Sequence, residues 1–204
     1  EAVMLLGVET DTQDTSGEIL KELPVEASED AVREAILSFV GEYAQVPPMY
    51  SALKVNGKKL YELAREGKTV ERKARNVQIF SIEILEMDLP RVRMSVHCSK
   101  GTYIRTLCYD IGRMLGCGGC MEKLLRTKVG VFELADTLKL SEIDQLAKEG
   151  LVEEKIISVD ELFEDYVKVW MKKEFDVVVH NGNRIQKRMF EQKLDSNAER
   201  LRVY

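Results

Sequence analysis

Two basic side chains stand where a strand turns into a helix, and such a position could bind an anion. In the segment 98–106, a Lys-Gly turn is followed by a helix that we expect to begin at Thr102. Lys100 and Arg105 then lie at the helix N-terminus, where the macrodipole already presents positive charge. Exposed backbone N–H groups and a guanidinium together predict a site for a carboxylate or a phosphate. The alternative is that Arg105 points into solvent.

The Cys117-Gly-Gly-Cys120 motif is a second candidate for chemistry, because two thiols at this spacing could bind zinc or undergo redox exchange. A structural zinc site needs four ligands, and the sequence has no second ligand pair at zinc spacing, since its histidines are His97 and His180. A thioredoxin-like redox site would require a βαβ unit around the two cysteines, and the sequence does not predict one there. We therefore favour a glycine turn between two helices and expect no metal and no cofactor.

The charge of the chain is strongly segregated. The net charge is −5, yet residues 50–75 hold eight Lys and Arg against three Glu, and residues 91–130 hold eight against two acids. Residues 1–49 carry two bases against eleven acids. Clustered positive charge is the footprint of phosphate contacts and points to a nucleic-acid partner. Solvated helix faces would produce the same pattern.

Length and composition restrict the class of protein. With 204 residues, 45% hydrophobic and 32% charged, the chain predicts one full globular domain and a smaller one. The sequence has no apolar run of about 20 residues, so we expect no membrane span. Four cysteines are too few for a disulfide scaffold, which favours the cytoplasm. Because Glu1 directly precedes an apolar run over 2–6, we expect a segment ahead of it.

The elements that must position the candidate residues are both strands and helices. The hydrophobic periodicity predicts strands over 2–8, 77–87 and 91–98, and helices over 28–41, 60–67, 102–116 and 141–150. Ser28 and Ser141 are the expected N-caps, and Asn56-Gly57 predicts a hairpin turn. Beyond a boundary near residue 165, the patterns over 167–170 and 175–179 predict a small β-rich module.

Five motifs follow one another in order over roughly residues 1–132. They are 6–17, with Thr10-Asp11-Thr12 and Asp14; 39–54, with Gln45-Val46-Pro47-Pro48-Met49-Tyr50-Ser51; 57–67; 97–107; and 124–132. Together these long and specific motifs resemble the bacterial tRNA pseudouridine-55 synthase family (TruB-type). From about residue 163, the sequence resembles more weakly the small PUA-type module that ends this family.

The resemblance implies both a fold and a function. The implied fold is α+β, with a mixed, largely antiparallel sheet and flanking helices. An incomplete pseudouridine synthase-like core would occupy residues 1–162, and a small β-rich PUA-like RNA-binding module residues 163–204. The implied function is isomerisation of a uridine in the TΨC loop of tRNA. The target base is flipped out of the folded RNA. The expected enzyme is a cytoplasmic monomer whose partner is the T stem-loop.

The family's catalytic aspartate stands in a Gly-Thr-Leu-Asp-Pro motif, which these 204 residues do not contain. A base-stacking tyrosine of the family would directly precede Glu1. The resemblance therefore implies that the nucleophile belongs to a preceding segment and that these residues are inactive alone. The alternative is a non-catalytic protein that binds tRNA or assists RNA folding.

The resemblance also assigns roles to individual residues. It implies that Arg105 pairs with the catalytic aspartate and that Tyr103 and Leu124 line the uracil pocket. Asp14 would tether Arg105, although an Asx-turn role is the alternative. The expected RNA contacts are Lys54, Lys58, Lys59, Arg65, Lys100, Arg126 and Tyr50.

Overall fold

The computed structural model describes residues 1–55, 57–193 and 200–204, and the chain divides into two compact units, 1–137 and 138–204. The strands of the first unit are β1 (Ala2–Leu6), β2 (Val8–Thr10), β3 (Ile19–Glu22), β4 (Gly41–Gln45), β5 (Lys54–Val55), β6 (Lys58–Lys59), β7 (Arg75–Asp88), β8 (Arg91–Cys98), β9 (Gly119–Leu124), β10 (Lys128–Val129) and β11 (Phe132–Glu133). Its α-helices are α1 (Glu29–Leu37), α2 (Leu60–Arg65) and α3 (Ile104–Met114).

A five-stranded antiparallel sheet forms the framework of the first unit. Its strand order is β4-β7-β8-β1-β9. Alternate residues of β1 (Ala2, Met4 and Leu6) are buried, as a strand with one covered face requires. They join one core with apolar residues of α1 and α3, including Ile36 and Leu107, so both helices lie against the sheet. The α+β class with a largely antiparallel sheet is confirmed.

Helix α1 follows its predicted start. The Ser28 hydroxyl accepts a hydrogen bond from the Ala31 backbone N–H at 3.3 Å, which confirms Ser28 as the N-cap. The helix ends at Leu37, and Gly41 begins β4 instead of closing the helix. Gly41 has a φ of 118°, which a residue with a side chain rarely adopts.

Two predicted helix starts differ from the structure, because a neighbouring residue occupies the N-cap position in each helix. Helix α3 begins at Ile104 with Tyr103 as its N-cap, while the Thr102 hydroxyl bonds back to the Ser99 carbonyl at 2.9 Å. In the second unit, helix α4 (Leu140–Glu149) begins ahead of Ser141. There the Glu142 carboxylate accepts from the Lys139 backbone N–H, as in a capping box.

The glycines at 118 and 119 lead from α3 into strand β9. The predicted turn between two helices is therefore wrong, because the second element is a strand. Gly118 has a φ of 74° and donates its N–H to the Gly112 carbonyl at 3.0 Å. This bond folds the chain back along α3, and β9 then enters the sheet beside β1. Whether the residues after Gly118 form a helix or a strand therefore depends on the packing of their backbone against α3, which is a tertiary feature.

The predicted hairpin is present between β5 and β6. Lys54 pairs with Lys59 and Val55 with Lys58 in antiparallel register. Gly57 has a φ of 84°, in keeping with the turn. Asn56, the other residue of the predicted turn, lies outside the described residues.

The second unit has its own small core. It contains α4 (Leu140–Glu149), α5 (Val159–Leu162), β12 (Val167–Val169), α6 (Asp176–His180) and β13 (Leu201–Val203). Strands β12 and β13 pair in parallel. Residues 176–180 are helical, which corrects the extended structure predicted for 175–179. Val178 and Val179 pack on the core around Val169 while Val177 is 69% exposed, so a helical period overrides valine's preference for strands. The PUA-like module and the 162/163 boundary stay predictions.

The helices of the described residues are short or polar. None of them, within 1–55, 57–193 and 200–204, has both the length and the hydropathy to cross a membrane.

Candidate active site

Arg105, in the first turn of α3, is the centre of a hydrogen-bond network. Its Nη1 donates to Asp14 Oδ2 at 3.0 Å and to the Thr12 carbonyl at 3.3 Å, and its Nη2 donates to the Tyr50 carbonyl at 2.8 Å. The Arg105 side chain is only 23% exposed, so the alternative that it points into solvent is wrong. Its Nε–H and its second Nη2–H have no acceptor among the residues that the structure describes, so two of the five guanidinium donors stay available to a ligand.

Asp14 has both of the roles that the sequence left open. Its Oδ1 accepts from the Thr12 hydroxyl at 2.8 Å and from the Ser16 N–H at 3.1 Å, as in an Asx-type turn, while its Oδ2 binds Arg105. Partial burial pushes the pKa of Asp14 upward. Hydrogen bonds from Ser16 and Thr12 and the charge of Arg105 outweigh this effect, so the pKa lies below its ordinary value of 3.8. Asp14 is therefore an ionised partner for the guanidinium.

Gln13 fixes the Asp14 loop against two elements of the fold, a role that the sequence analysis missed. Its carbonyl accepts from the Met121 N–H of β9, and the Thr15 N–H donates to the Met121 carbonyl, both at 3.0 Å. Its side-chain Oε1 accepts from the Thr106 hydroxyl of α3 at 2.8 Å. Gln13 has a φ of 64°, which is unfavourable by about 1 kcal/mol for a residue other than glycine. The loop is thus held in one conformation, with Asp14 facing Arg105.

Tyr103 and Tyr50 both contribute backbone atoms to the site. Tyr103 is the half-buried N-cap of α3, and the Gln45 side chain holds its peptide groups. Tyr50 was predicted as an RNA contact. Its carbonyl binds Arg105, and its hydroxyl donates to Asp11 Oδ2 at 3.1 Å. Its main chain therefore belongs to the site itself, and the RNA contact stays a prediction.

Leu124 lies at the end of β9, opposite Ala2 of β1. Its side chain is 52% exposed. An apolar side chain at this exposure is compatible with a wall for a flat base, and its place in a uracil pocket stays a prediction.

The predicted RNA contacts gather around the β5–β6 hairpin and α2. Lys59 Nζ lies 3.2 Å from the Tyr61 hydroxyl and 5.3 Å from its ring centroid, and the Arg65 guanidinium lies 5.4 Å from the same centroid. Lys58 Nζ is 3.5 Å from Glu66 Oε1, so part of its charge is already compensated. Exposed side chains are also found at Lys54, Lys100 and Arg126. Tyr61, which the sequence analysis missed, supplies an aromatic ring among these cations.

Three of the four cysteines of the first unit, Cys108, Cys117 and Cys120, are buried, and Cys98 is partly buried. Cys117 Sγ donates to the Gly118 carbonyl at 3.5 Å, and no disulfide links the described cysteines. Burial, with smaller contributions from Asp14 and Glu122, raises the pKa of Cys120 to about 11. The thiolate that redox exchange or metal binding requires is thus disfavoured at this position.

Replacing Asp14 by asparagine is expected to lower the free energy of unfolding by about 1–2 kcal/mol at pH 7. The amide oxygen still accepts from Thr12 and Ser16, so the change removes chiefly the charged acceptor of Arg105. Because the native pKa of Asp14 is depressed, its contribution is present above the unfolded pKa and disappears as the pH falls through the native value. Urea denaturation of both proteins should show a difference at pH 7 that vanishes in acid. A pH-independent difference would contradict the assignment.

Comparison with protein families and with known proteins gives a consistent result. Residues 1–104 match the model of the TruB family pseudouridylate synthase (N terminal domain), and residues 105–166 match the tRNA pseudouridylate synthase B C-terminal domain. Among curated relatives, tRNA pseudouridine synthase B of Alkaliphilus oremlandii is 50% identical over 184 residues, which cover 90% of this chain and 60% of the relative. The protein of the same name from Clostridium acetobutylicum is 46% identical over 204 residues, covering 100% of this chain and 69% of the relative.

Solved structures agree on the fold. A chain in the crystal structure of a Cbf5-Nop10-Gar1 complex superposes with a TM-score of 0.63 and 25% identity, covering 93% of this chain and 50% of that one. A chain of an H/ACA RNP bound to a substrate RNA containing 2'-deoxyuridine gives 0.59 at 22% identity, covering 93% and 48%. This chain spans about 60–69% of the length of the curated relatives above. It belongs to the TruB family of pseudouridylate synthases.

Proposed function

We propose that the complete product of this gene converts a uridine in the T stem-loop of tRNA to pseudouridine. The observation that carries the proposal is the guanidinium of Arg105. It is held in place by Asp14, Thr12 and Tyr50 and retains an Nε–H with no acceptor among the described residues. A rigid, always-charged group of this kind binds and orients a carboxylate. Membership in the family and two relatives named tRNA pseudouridine synthase B support the assignment.

The proposed reaction is an isomerisation that needs no cofactor. The bond from N1 of uracil to C1′ of the ribose breaks, the base turns, and C5 forms the new bond to C1′. The proton on C5 is lost to solvent and N1 gains one, so atoms and electrons balance. The family resemblance supplies an aspartate that attacks or stabilises the sugar–base intermediate. Arg105 would keep that carboxylate ionised and correctly oriented.

Recognition of the RNA is proposed to depend on the cations around the hairpin and α2. Lys59 and Arg65 flank the Tyr61 ring, and Lys100 stands exposed in the turn that leads to Tyr103 and α3. Such groups suit phosphate contacts and stacking on an unpaired base. The target uridine would be flipped out of the folded loop, with Tyr103 and Leu124 as walls of its pocket. We propose that the enzyme acts as a monomer in the cytoplasm.

The test is tritium release from tRNA that carries uridine labelled at C5. The complete gene product should release the label from its target uridine in the T loop, and tRNA with cytidine at that position is the matched control. Binding is measured in parallel over a range of salt concentrations. If tRNA binds with a steep salt dependence but no label is released, the protein is a non-catalytic RNA-binding protein and the proposal is wrong.

A further inference from the structure

We propose that Gln45 is a positioning residue for Arg105 and Tyr103, holding the first turn of α3 in the geometry that the reaction requires. This inference rests on the proposed function. Gln45 is the last residue of β4, and its side chain is only 1% exposed. A buried amide group is favourable only where its donor and its acceptor both have partners.

Both polar atoms of the Gln45 side chain bind the same residue. Its Nε2 donates to the Tyr103 carbonyl at 3.0 Å, and its Oε1 accepts from the Tyr103 N–H at 2.8 Å. The amide thus pairs with Tyr103 as a neighbouring strand would. Two bonds to one residue fix the rotation of its peptide groups as well as its position, which a single bond would not do.

Tyr103 is the residue at which this constraint controls the helix. It is the N-cap of α3, with an extended conformation (φ −97°, ψ 106°), and its own side chain makes no capping bond. Its carbonyl also accepts from the Leu107 N–H at 3.1 Å. The direction in which α3 leaves Tyr103, and so the position of Arg105 two residues later, therefore depends on Gln45.

The segment that begins at Gln45 reaches the Arg105 guanidinium at its other end. After Gln45 the chain leaves the sheet through Pro47 and Pro48, which have no backbone N–H, and arrives at Tyr50. The Tyr50 carbonyl accepts from Arg105 Nη2. Residues 45–50 thus hold the backbone at the start of α3 and the tip of the Arg105 side chain together.

Two variants of Gln45 separate a positioning role from a merely structural one. Gln45→Leu removes both bonds and leaves the Tyr103 N–H without a partner, while the Tyr103 carbonyl keeps only the bond from the Leu107 N–H. Gln45→Glu keeps the size of the side chain. Its carboxylate still accepts from the Tyr103 N–H but repels the Tyr103 carbonyl, whereas the protonated acid donates to that carbonyl and restores the pair. In the Gln45→Glu variant, a change of pH therefore breaks or restores the bond to the Tyr103 carbonyl within one folded protein.

The experiment measures kcat and KM of the complete gene product on tRNA between about pH 6 and pH 9. Gln45→Leu is expected to lower kcat roughly 100-fold with KM changed less than about threefold, because misplaced groups slow the chemical step. The side chain at position 45 is 1% exposed and lies beside Tyr43, whose hydroxyl donates to Asp110, so burial raises the pKa of a carboxyl group placed there. Gln45→Glu is therefore expected to be similarly slow at high pH and to recover at least about tenfold, relative to the wild type, at low pH. Gln78→Glu is the matched control, since the Gln78 side chain makes no hydrogen bond among the described residues. It should follow the wild-type profile.

The outcomes separate this inference from the function on which it rests. If the wild-type protein forms no pseudouridine, the proposed function fails and the inference with it. If the wild type is active and Gln45→Leu keeps its kcat, the inference alone is wrong. A Gln45→Glu profile parallel to that of the wild type also overturns it, because a structural defect would not be repaired by one proton.

Discussion

Replacement of Arg105 by alanine is expected to slow pseudouridine formation roughly 10²–10⁴-fold, while tRNA affinity changes less than about threefold. The variant removes the guanidinium that we propose orients the catalytic carboxylate, and the expected loss of rate corresponds to an increase of about 3–5 kcal/mol in the activation free energy. Binding should persist because the exposed cations at Lys54, Lys100 and Arg126 are untouched. Single-turnover tritium release and filter binding, measured on the same preparations, check both statements.

Two further variants control for charge and for folding. Arg105→Lys keeps the charge but cannot reach Asp14, Thr12 and Tyr50 at once, so it should remain at least about tenfold slow. Arg113→Ala removes an exposed guanidinium from the same helix, 5.7 Å from the Tyr109 ring centroid, and should leave the rate unchanged. If Arg105→Ala retains a rate within about threefold of the wild type, the role of this guanidinium is wrong.

The fold could be predicted where local sequence determines structure. The N-cap at Ser28 and the alternation of apolar and polar residues along β8 depend on side chains a few residues apart, and the structure confirms both the cap and the strand. Helix α6 could not be predicted in this way. Its three consecutive valines favour a strand locally, and only the core around Val169 makes a helix the better solution. The entry of β9 into the sheet likewise depends on a backbone contact with α3.

The positive charge of the candidate site could be predicted from the sequence, but the groups that hold Arg105 in place could not. An arginine in the first turn of a helix conflicts with the macrodipole, and that conflict pointed to an anionic partner, which the structure supplies in Asp14. Every residue has a backbone carbonyl, so the sequence could not predict that those of Thr12 and Tyr50 accept hydrogen bonds from Arg105. Gln13 and Gln45 were missed because glutamine is common on surfaces. The position of Gln45 at the end of a strand, directly before Val-Pro-Pro, was the available signal.

Replacing Gly112 by alanine is expected to lower the free energy of unfolding by about 3 kcal/mol. In an ordinary helix the same change adds about 1 kcal/mol, because alanine is the better helix former. Here a β-carbon would overlap the backbone nitrogen of Gly119 and the carbonyl group of Gly118, where α3 crosses the start of β9. Main-chain atoms cannot rotate away, so α3 and β9 must separate. Urea denaturation monitored by circular dichroism measures the loss.

Gly116→Ala is the matched control, because it tests a glycine without a neighbour. Gly116 has a φ of 75° and open space around its Cα, so alanine there should cost about 1 kcal/mol from backbone conformation alone. Equal effects at 112 and 116 would mean that the contact of α3 with β9 is not close. The contact also matters for the site, since Met121 of β9 binds the loop that carries Asp14 while α3 carries Arg105. Separation of the two elements should therefore weaken the Arg105–Asp14 pair and reduce activity together with stability.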